Sequence, residues 1–224
     1  IYTTFSALVA RPDGRLIPVG AREGGFAVTT YLADGTPDAS FAVAPTEAVQ
    51  LDTGSSVAFQ AMAPHADGRI VAAGTGFDGR RYICLATFTA GGAPDASFDV
   101  DGRMISRAFG TSGSVQAIIP LVDGKVVVAG SSLKTNNVLE GELLTLARFD
   151  ASGALDPTFG TSGITKISAA TGSAVLSAAA RQSDGRIVVT GTGYGGMAYL
   201  ARVTAVGMPD ATFGTNGLVT APMS

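Results

Sequence analysis

Short apolar segments separated by glycine and aspartate turns recur along the whole chain. Apolar runs such as residues 16–20 and 70–74 follow an Asp-Gly dipeptide and stop at a glycine. An Asp-Gly dipeptide between two apolar runs predicts a β-hairpin, because both central residues of the two-residue turn adopt positive φ. No segment keeps the 3.6-residue apolar period over the roughly 11 to 18 residues that indicate a helix. The pattern therefore predicts an all-β protein.

Two landmarks repeat at similar spacing and divide the chain into four units. The aspartates of the Asp-Gly turns are 54, 56 and 61 residues apart, and those of a second motif, Asp-x-Ser/Thr-Phe, are 57, 61 and 54 apart. The turn aspartates are Asp13, Asp67, Asp123 and Asp184, and the motif aspartates are Asp38, Asp95, Asp156 and Asp210. We predict a single domain, residues 1–224, with repeats of approximately 1–52, 53–108, 109–169 and 170–224.

Each unit is expected to form four short strands. The strands are apolar on both faces, which is typical of sheets that lie between two neighbouring sheets. Four-stranded units at this period indicate a β-propeller. The residues before Asp13 and after Phe213 together have the length of one normal junction. Residues 217–221 are therefore expected to supply a strand beside the first unit.

We predict a β-propeller of four four-stranded repeats, closed by pairing of the N- and C-terminal strands. One alternative is half of an eight-bladed ring formed by two chains, and another is a slice of a longer propeller. The chain is accordingly expected to be a monomer or a homodimer.

The repeated segments also resemble a known family. "PDGRLIPVG", "DGKVVVAG" and "SDGRIVVTG", together with "LARFDASGALDPTFGTSGI" in the third unit, are similar to the bacterial delta-sixty repeat. The resemblance covers all four units. It implies a propeller, usually in secreted or cell-surface proteins, with no common activity and no catalytic residues to transfer to this chain.

Composition limits the functional classes. Hydrophobic residues make up 46% of the chain and charged residues 15%, which excludes disorder. The formal net charge of −3 argues against a nucleic-acid partner, which requires a basic surface. No apolar run reaches the roughly 18 to 20 residues of a membrane span. Because the chain begins with Ile1 and not with methionine, we expect a processed product or an excised segment.

The Asp-x-Ser/Thr-Phe motif places a carboxylate beside a hydroxyl in every unit. A catalytic site needs one copy, whereas a scaffold needs one in each unit. We therefore interpret the aspartate as the cap of a tight turn and the phenylalanine as a core residue between sheets. The segment "DVDGR" at 99–103 begins like a calcium loop but lacks its later oxygen ligands and final glutamate. We expect no metal and no cofactor.

His65 and Cys84 are the only histidine and cysteine. The position of His65 relative to its hairpin turn is filled by Arg11, Leu121 and Gln182 in the other units. A position that accepts these three residues is interpreted as the flank of a hairpin. Cys84 is interpreted as a small buried residue. No catalytic residue is predicted.

The loops between the second and third strands differ most among the units, and variable loops on a rigid frame are where binding residues concentrate. These loops combine aromatic side chains, guanidinium groups and amides, and the first two types are enriched at binding hot spots. The candidate ligand-binding residues are Phe77, Arg80, Arg81, Tyr82, Asn136, Asn137 and Tyr194.

The leading hypothesis is a non-enzymatic binding or scaffold domain that presents these loops on one rim to a protein or glycan partner. The alternative is a propeller lyase or hydrolase with its site at the mouth of the central channel. A third reading is a structural spacer within a larger surface protein. An enzyme would show titratable groups converging in a cleft, and a rim-binding domain would not need them.

Overall fold

The computed structural model describes residues 4–11, 13–22, 25–41, 48–50, 57–99, 101–133, 141–168, 174–193 and 195–222. These residues form strands and turns, and none of them form a helix long and apolar enough to cross a membrane. The strands are β1 (Thr4–Ala10), β2 (Leu16–Arg22), β3 (Gly25–Val28), β4 (Ala48–Gln50), β5 (Val57–Pro64), β6 (Ile70–Phe77), β7 (Arg81–Phe88), β8 (Arg103–Ser106), β9 (Ser114–Pro120), β10 (Val126–Leu133), β11 (Glu142–Phe149), β12 (Ile164–Ile167), β13 (Ala174–Arg181), β14 (Ile187–Gly193), β15 (Met197–Val203) and β16 (Leu218–Pro222).

Each set of four consecutive strands forms one antiparallel sheet. Sheet 1 is β1–β4, sheet 2 is β5–β8, sheet 3 is β9–β12 and sheet 4 is β13–β16. The prediction of an all-β, propeller-like arrangement of four-stranded sheets is confirmed. The boundaries of the domain and its repeats stay predictions.

The predicted pairing between the terminal strands is wrong for the described residues. The strand β1 pairs with β2, and β16 pairs with β15. Sheet 1 obtains its fourth strand from its own β4, which pairs with β3. The strand β16 follows β15 in the chain and pairs with it. Sheet 4 therefore has four strands without the N-terminal strand.

In each sheet, the apolar run of the second strand ends at a glycine. A β-bulge in the neighbouring first strand explains why glycine is required there. The pairing register shifts beside Gly20, Gly74, Gly130 and Gly191. At Gly130 an added Cβ would overlap the carbonyl oxygen of Ser114, and at Gly191 that of Val175. Only glycine admits this close backbone approach.

The first strands lie side by side at the centre, and the sheets pack face to face around them. One apolar core fills each interface between consecutive sheets. The strands β6, β7, β10 and β11 are buried on both faces, as their sequences predict. The strand β14 instead alternates between buried and partly exposed residues. Among the residues that the structure describes, sheet 4 therefore has one covered face and one open face.

The motif phenylalanine of each of the first three sheets packs against a glycine in the next sheet. A Cβ added to that glycine would lie 2.6 to 3.4 Å from the phenylalanine ring, so the missing side chain creates a socket for the ring. The three pairs are Phe41 with Gly92, Phe98 with Gly153, and Phe159 with Gly207. The motif therefore contributes both to a turn and to the packing between sheets.

Candidate functional site

The motif aspartates are turn caps and ion-pair partners. In sheet 2, one carboxylate oxygen of Asp95 accepts hydrogen bonds from the backbone N–H (3.1 Å) and the hydroxyl (2.6 Å) of Ser97. The other oxygen lies 3.1 Å from the guanidinium of Arg69, which follows the Asp-Gly turn. Equivalent contacts occur at Asp38, Asp156 and Asp210. The prediction that the motif aspartate caps a turn is confirmed.

Strand direction separates the loops into two ends. Because consecutive strands are antiparallel, the Asp-Gly turns and the motif turns share one end, called here the turn end. The loops between second and third strands and the segments joining the sheets share the other, called the loop end. The Arg69–Asp95 ion pair links two turns at the turn end. At the loop end, the Arg81 backbone N–H donates to the Thr111 carbonyl at 2.9 Å.

The loop end displays part of the predicted binding set on the hairpin between β6 and β7. Phe77 is 55% exposed, and Arg80 and Arg81 are also exposed. The guanidinium of Arg107 donates to both carboxylate oxygens of Asp78, at 3.0 and 2.8 Å, and to the Arg81 carbonyl at 3.1 Å. These bonds brace the hairpin that carries the exposed Phe77 ring.

Tyr82 lies in the core and not on the surface. Its side chain is 1% exposed, and its ring occupies the space that a Cβ of Gly76 would need. The Arg107 guanidinium lies 5.8 Å from the ring centroid, so Tyr82 supports the hairpin from beneath. Three predicted residues lie outside the described residues: Asn136, Asn137 and Tyr194.

A cavity of about 590 Å³ opens at the turn end between the first hairpins of sheets 1, 2 and 3. This volume is typical of small-molecule sites. Because the first strands are the innermost, the cavity lies at the mouth of the central region. Its lining residues are Arg11, Asp13, Pro64, His65, Ala66, Asp67, Gly68, Pro120, Leu121 and Val122.

Titratable groups converge in this cavity. Burial, followed by the charge of Arg69, lowers the pKa of His65. The Arg15 backbone N–H donates to the Asp13 carboxylate at 3.1 Å and holds the pKa of Asp13 below its usual value. Arg11 lies 3.5 Å from the same carboxylate and donates to the Ala90 carbonyl at 3.1 Å. At neutral pH the cavity thus combines a neutral imidazole with carboxylate and guanidinium groups.

A signal for this cavity exists in the sequence. Arg11, His65 and Leu121 each stand two residues before a turn aspartate, and they differ between units that otherwise repeat. The sequence locates this hairpin flank, but variability alone does not distinguish a tolerant position from the lining of a cavity. The structure brings these three residues to one cavity because their strands are neighbours at the centre.

Cys84 and the "DVDGR" segment have structural roles. Cys84 is fully buried, and burial raises the pKa of its thiol to about 12. Asp101 of the "DVDGR" segment accepts a hydrogen bond from the Arg103 backbone N–H at 3.1 Å, as a turn residue does. Within the described ranges, no group of three or more His, Cys, Asp or Glu side chains is placed to hold a metal ion.

The repeats match a family model described as "Domain of unknown function (DUF5122) beta-propeller". The matched segments are residues 65–98, 123–159 and 182–213, and each contains a hairpin turn and the following motif. The match supports a β-propeller repeat family, and the family description assigns no activity. The more specific resemblance to the delta-sixty repeat stays a prediction. No curated protein matches the chain.

Several solved structures are similar to this chain at low identity. A protein of unknown function from Dyadobacter fermentans superposes with a TM-score of 0.51 and 12% identity, over 92% of this chain and 66% of that chain. YCF48 from Cyanidioschyzon merolae gives 0.43 and 14%, over 91% and 57%. An endo-1,4-beta-xylanase from Bacteroides thetaiotaomicron gives 0.46 and 12%, over 97% and 74%. The first likeness shows the fold alone, and this chain spans about two thirds of that protein.

Proposed function

We propose that this chain is a non-enzymatic binding or scaffold domain that presents its loop end to a protein or glycan partner. The observation that carries the proposal is the exposed Phe77 ring on a hairpin braced by Arg107. A hairpin held by hydrogen bonds loses less conformational entropy on binding than an unbraced loop would. Aromatic and arginine side chains are also the types enriched at binding hot spots.

The proposal is tested with a photo-crosslinking amino acid placed at position 77. The modified chain is irradiated in an extract of the source cells, and the unmodified chain is applied to an array of defined oligosaccharides. We expect either discrete crosslinked proteins or a specific glycan signal, and we expect Arg81→Ser to reduce it. A crosslinker at Ile105, an exposed side chain on β8, is the matched control. Equal adducts at both positions, or none with no glycan signal, would contradict the proposal.

The second candidate function is a lyase or hydrolase at the turn-end cavity. It is favoured by one observation, the convergence of His65 with the carboxylates of Asp13 and Asp67 in a cleft. A neutral imidazole there is able to accept a proton from a substrate or from a water molecule. The carboxylates are bound to the turns, so their first role is structural.

This second candidate is tested with chromogenic glycoside and ester substrates and with polysaccharides that undergo elimination. Turnover that disappears in a folded His65→Gln variant would support an enzyme. Because His65 is the only histidine, its ring proton resonances report directly on occupancy of the cavity. Absence of turnover and of any shift in these resonances would exclude the tested substrates from the cavity.

Export of the chain to the cell surface or the medium is part of the proposal. It is supported by the resemblance of the repeats to the delta-sixty repeat. Fractionation of the source cells with an antibody against this chain tests it, and recovery in the cytoplasmic fraction alone would contradict it.

A further inference from the structure

The open face of sheet 4 carries apolar residues that are buried at the same position in other sheets. Leu200 is 37% exposed, whereas Leu85 and Leu146, its counterparts in sheets 2 and 3, are fully buried by the following sheet. Val175 and Val219 on the same face are also exposed. The face has the composition of an interface between sheets but has no sheet packed on it among the described residues.

Sheet 1 shows the complementary deficiency on the face that would receive a preceding sheet. Leu16 is 36% exposed, whereas its counterparts Ile70, Val126 and Ile187 are at most 2% exposed because each packs on the sheet before it. The two ends of the arrangement thus present the two halves of one interface, each uncovered.

The packing of a motif phenylalanine against a glycine of the next sheet is also incomplete at these two ends. Gly35 is the counterpart of Gly92, Gly153 and Gly207, yet among the described residues no atom lies within 4 Å of the position of its Cβ. Phe213, the motif phenylalanine of sheet 4, is partly exposed and is covered on one side by the Arg202 guanidinium, 4.5 Å from its centroid. Sheet 4 therefore offers a ring, and sheet 1 offers an empty socket.

The hydroxyl that joins consecutive sheets is present on the open face. At two internal interfaces a hydroxyl on the second strand accepts a hydrogen bond from the first strand of the next sheet. Thr75 accepts from the Val115 backbone N–H at 3.1 Å, and Ser131 accepts from that of Leu176 at 2.9 Å. Thr192 occupies the same position in sheet 4 and is exposed.

A guanidinium and a backbone N–H of one sheet also donate hydrogen bonds to the next sheet. Arg148 donates to the Ala205 carbonyl of sheet 4 at 2.8 Å, and the Gly160 N–H donates to the Val206 carbonyl at 2.8 Å. Their counterparts in sheet 4 are Gly214 and Arg202, whose contacts among the described residues lie within its own sheet. The carbonyl groups at the matching positions of sheet 1 belong to Ala33 and Asp34.

We infer that the open face of sheet 4 binds sheet 1 of a second copy of this chain, and that two copies close into one ring of eight sheets. Sheet 4 carries the Phe213 side chain and the Thr192 hydroxyl. Sheet 1 carries the space at Gly35 and the carbonyl acceptors, so the two ends are complementary. Propeller rings contain roughly four to eight blades. The strands β1 and β16 do not pair with each other, and two copies of these four sheets supply eight, which lies within that range.

The contact is head to tail, so each end of one copy meets the opposite end of the other. Phe213 of one copy enters the socket at Gly35 of its partner. The Thr192 hydroxyl accepts the Phe5 backbone N–H, which stands beside the bulge of β1 as Val115 does in β9. Leu200 and Leu16 are buried in the two new interfaces.

The test is the solution mass across a dilution series by light scattering or sedimentation. The wild-type chain is expected at twice 22.4 kDa. Leu200→Asp and Leu16→Asp each place a charge in the proposed interface and are expected to raise the dissociation constant by at least about 100-fold. Val122→Asp, at a turn position that is 82% exposed, is the matched control and is expected to leave the dimer intact. Circular dichroism establishes that each variant is folded.

Mixing the two interface variants distinguishes a head-to-tail contact from a symmetric one. The Leu16→Asp chain keeps its sheet 4 face, and the Leu200→Asp chain keeps its sheet 1 face, so the mixture is expected to recover one interface and a dimer. A wild-type monomer at all concentrations, a dimer insensitive to both variants, or no recovery on mixing would overturn the inference. A concentration-dependent ladder would overturn the closed ring.

Discussion

Replacing Asp156 by asparagine tests whether the repeated motif holds the turns together. One oxygen of the carboxylate accepts from the Thr158 backbone N–H (3.0 Å) and hydroxyl (2.6 Å). The other lies 2.8 Å from Arg148 and 2.9 Å from Lys125. The substitution keeps the shape of the side chain and an acceptor for Thr158, but it removes the charge that both cations face.

The expected loss follows from the burial of Arg148. Removing one partner of a buried ion pair costs about 3 to 5 kcal/mol, because the other charge remains buried without compensation. Lys125 is more exposed and can be hydrated, and the amide oxygen retains the turn contacts. We therefore expect the free energy of unfolding to fall by about 3 kcal/mol, at the lower end of that range.

The assay is urea denaturation followed by circular dichroism, since the chain contains no tryptophan. Asp123→Asn is the control, because Asp123 is half exposed and lies 3.6 Å from the same Lys125. An exposed pair of this kind contributes under about 1 kcal/mol. Equal destabilisation by the two substitutions would show that the buried pair has no special role.

The pH dependence provides a second check. Burial opposes ionisation of Asp156, but the hydrogen bonds from Thr158 and Lys125 outweigh it and hold the pKa of this carboxyl well below its usual range. A depressed pKa in the folded state contributes stability above the unfolded-state pKa, which is lost as the pH falls toward the folded value. The difference between wild type and Asp156→Asn should therefore be largest at neutral pH and shrink below about pH 4. A constant difference would refute the reasoning.

Three further outcomes are expected. Gly207→Ala should lower the free energy of unfolding, measured by urea denaturation, by about 2 kcal/mol more than Gly195→Ala. Both glycines have positive φ, but only at Gly207 would a Cβ meet the Phe159 ring, at 2.8 Å. Equal losses would show that the socket is unimportant. Cys84 should react with a thiol reagent at pH 8 only after unfolding, because burial raises its pKa to about 12; rapid reaction of the folded chain would contradict its burial. The single histidine should titrate by NMR below the ordinary histidine value, since burial lowers the pKa of His65. Stability should accordingly decline as the pH drops through that ordinary value, where the unfolded chain binds the proton more readily.

Local features of the fold were predictable from the sequence because they depend on residues close together in the chain. The Asp-Gly dipeptides mark the first hairpins, but the expectation of positive φ at both residues is wrong, because only the glycines have it, as at Gly14 (84°) and Gly68 (88°). The Asp-x-Ser/Thr contacts span two residues, as between Asp95 and Ser97. Whether the terminal strands pair was not predictable. It depends on the angles between consecutive sheets, which together decide whether the last sheet reaches the first. Chain length alone gave a junction of the right size without fixing that angle.

The candidate site was predictable only in part, because side-chain direction decides exposure. Phe77 and Tyr82 are both aromatic residues at the hairpin between β6 and β7, but only Phe77 points to solvent. Tyr82 faces inward because Gly76, directly opposite it in the sheet, leaves room for its ring. A glycine paired with an aromatic residue across two strands is thus a sequence signal for a buried ring, once the register is known.

Internal repetition separates residues that the fold requires from residues that are free to acquire a role. The motif aspartates occur in all four units and make the same contacts in each. The position two residues before each hairpin turn instead holds Arg11, His65, Leu121 and Gln182. Because all four hairpins form, the fold does not determine the residue there. Three of these side chains line one cavity, so the chemistry of that cavity can change without altering the sheets. Substituting Leu121 by glutamine should therefore preserve stability within about 1 kcal/mol while changing what the cavity binds.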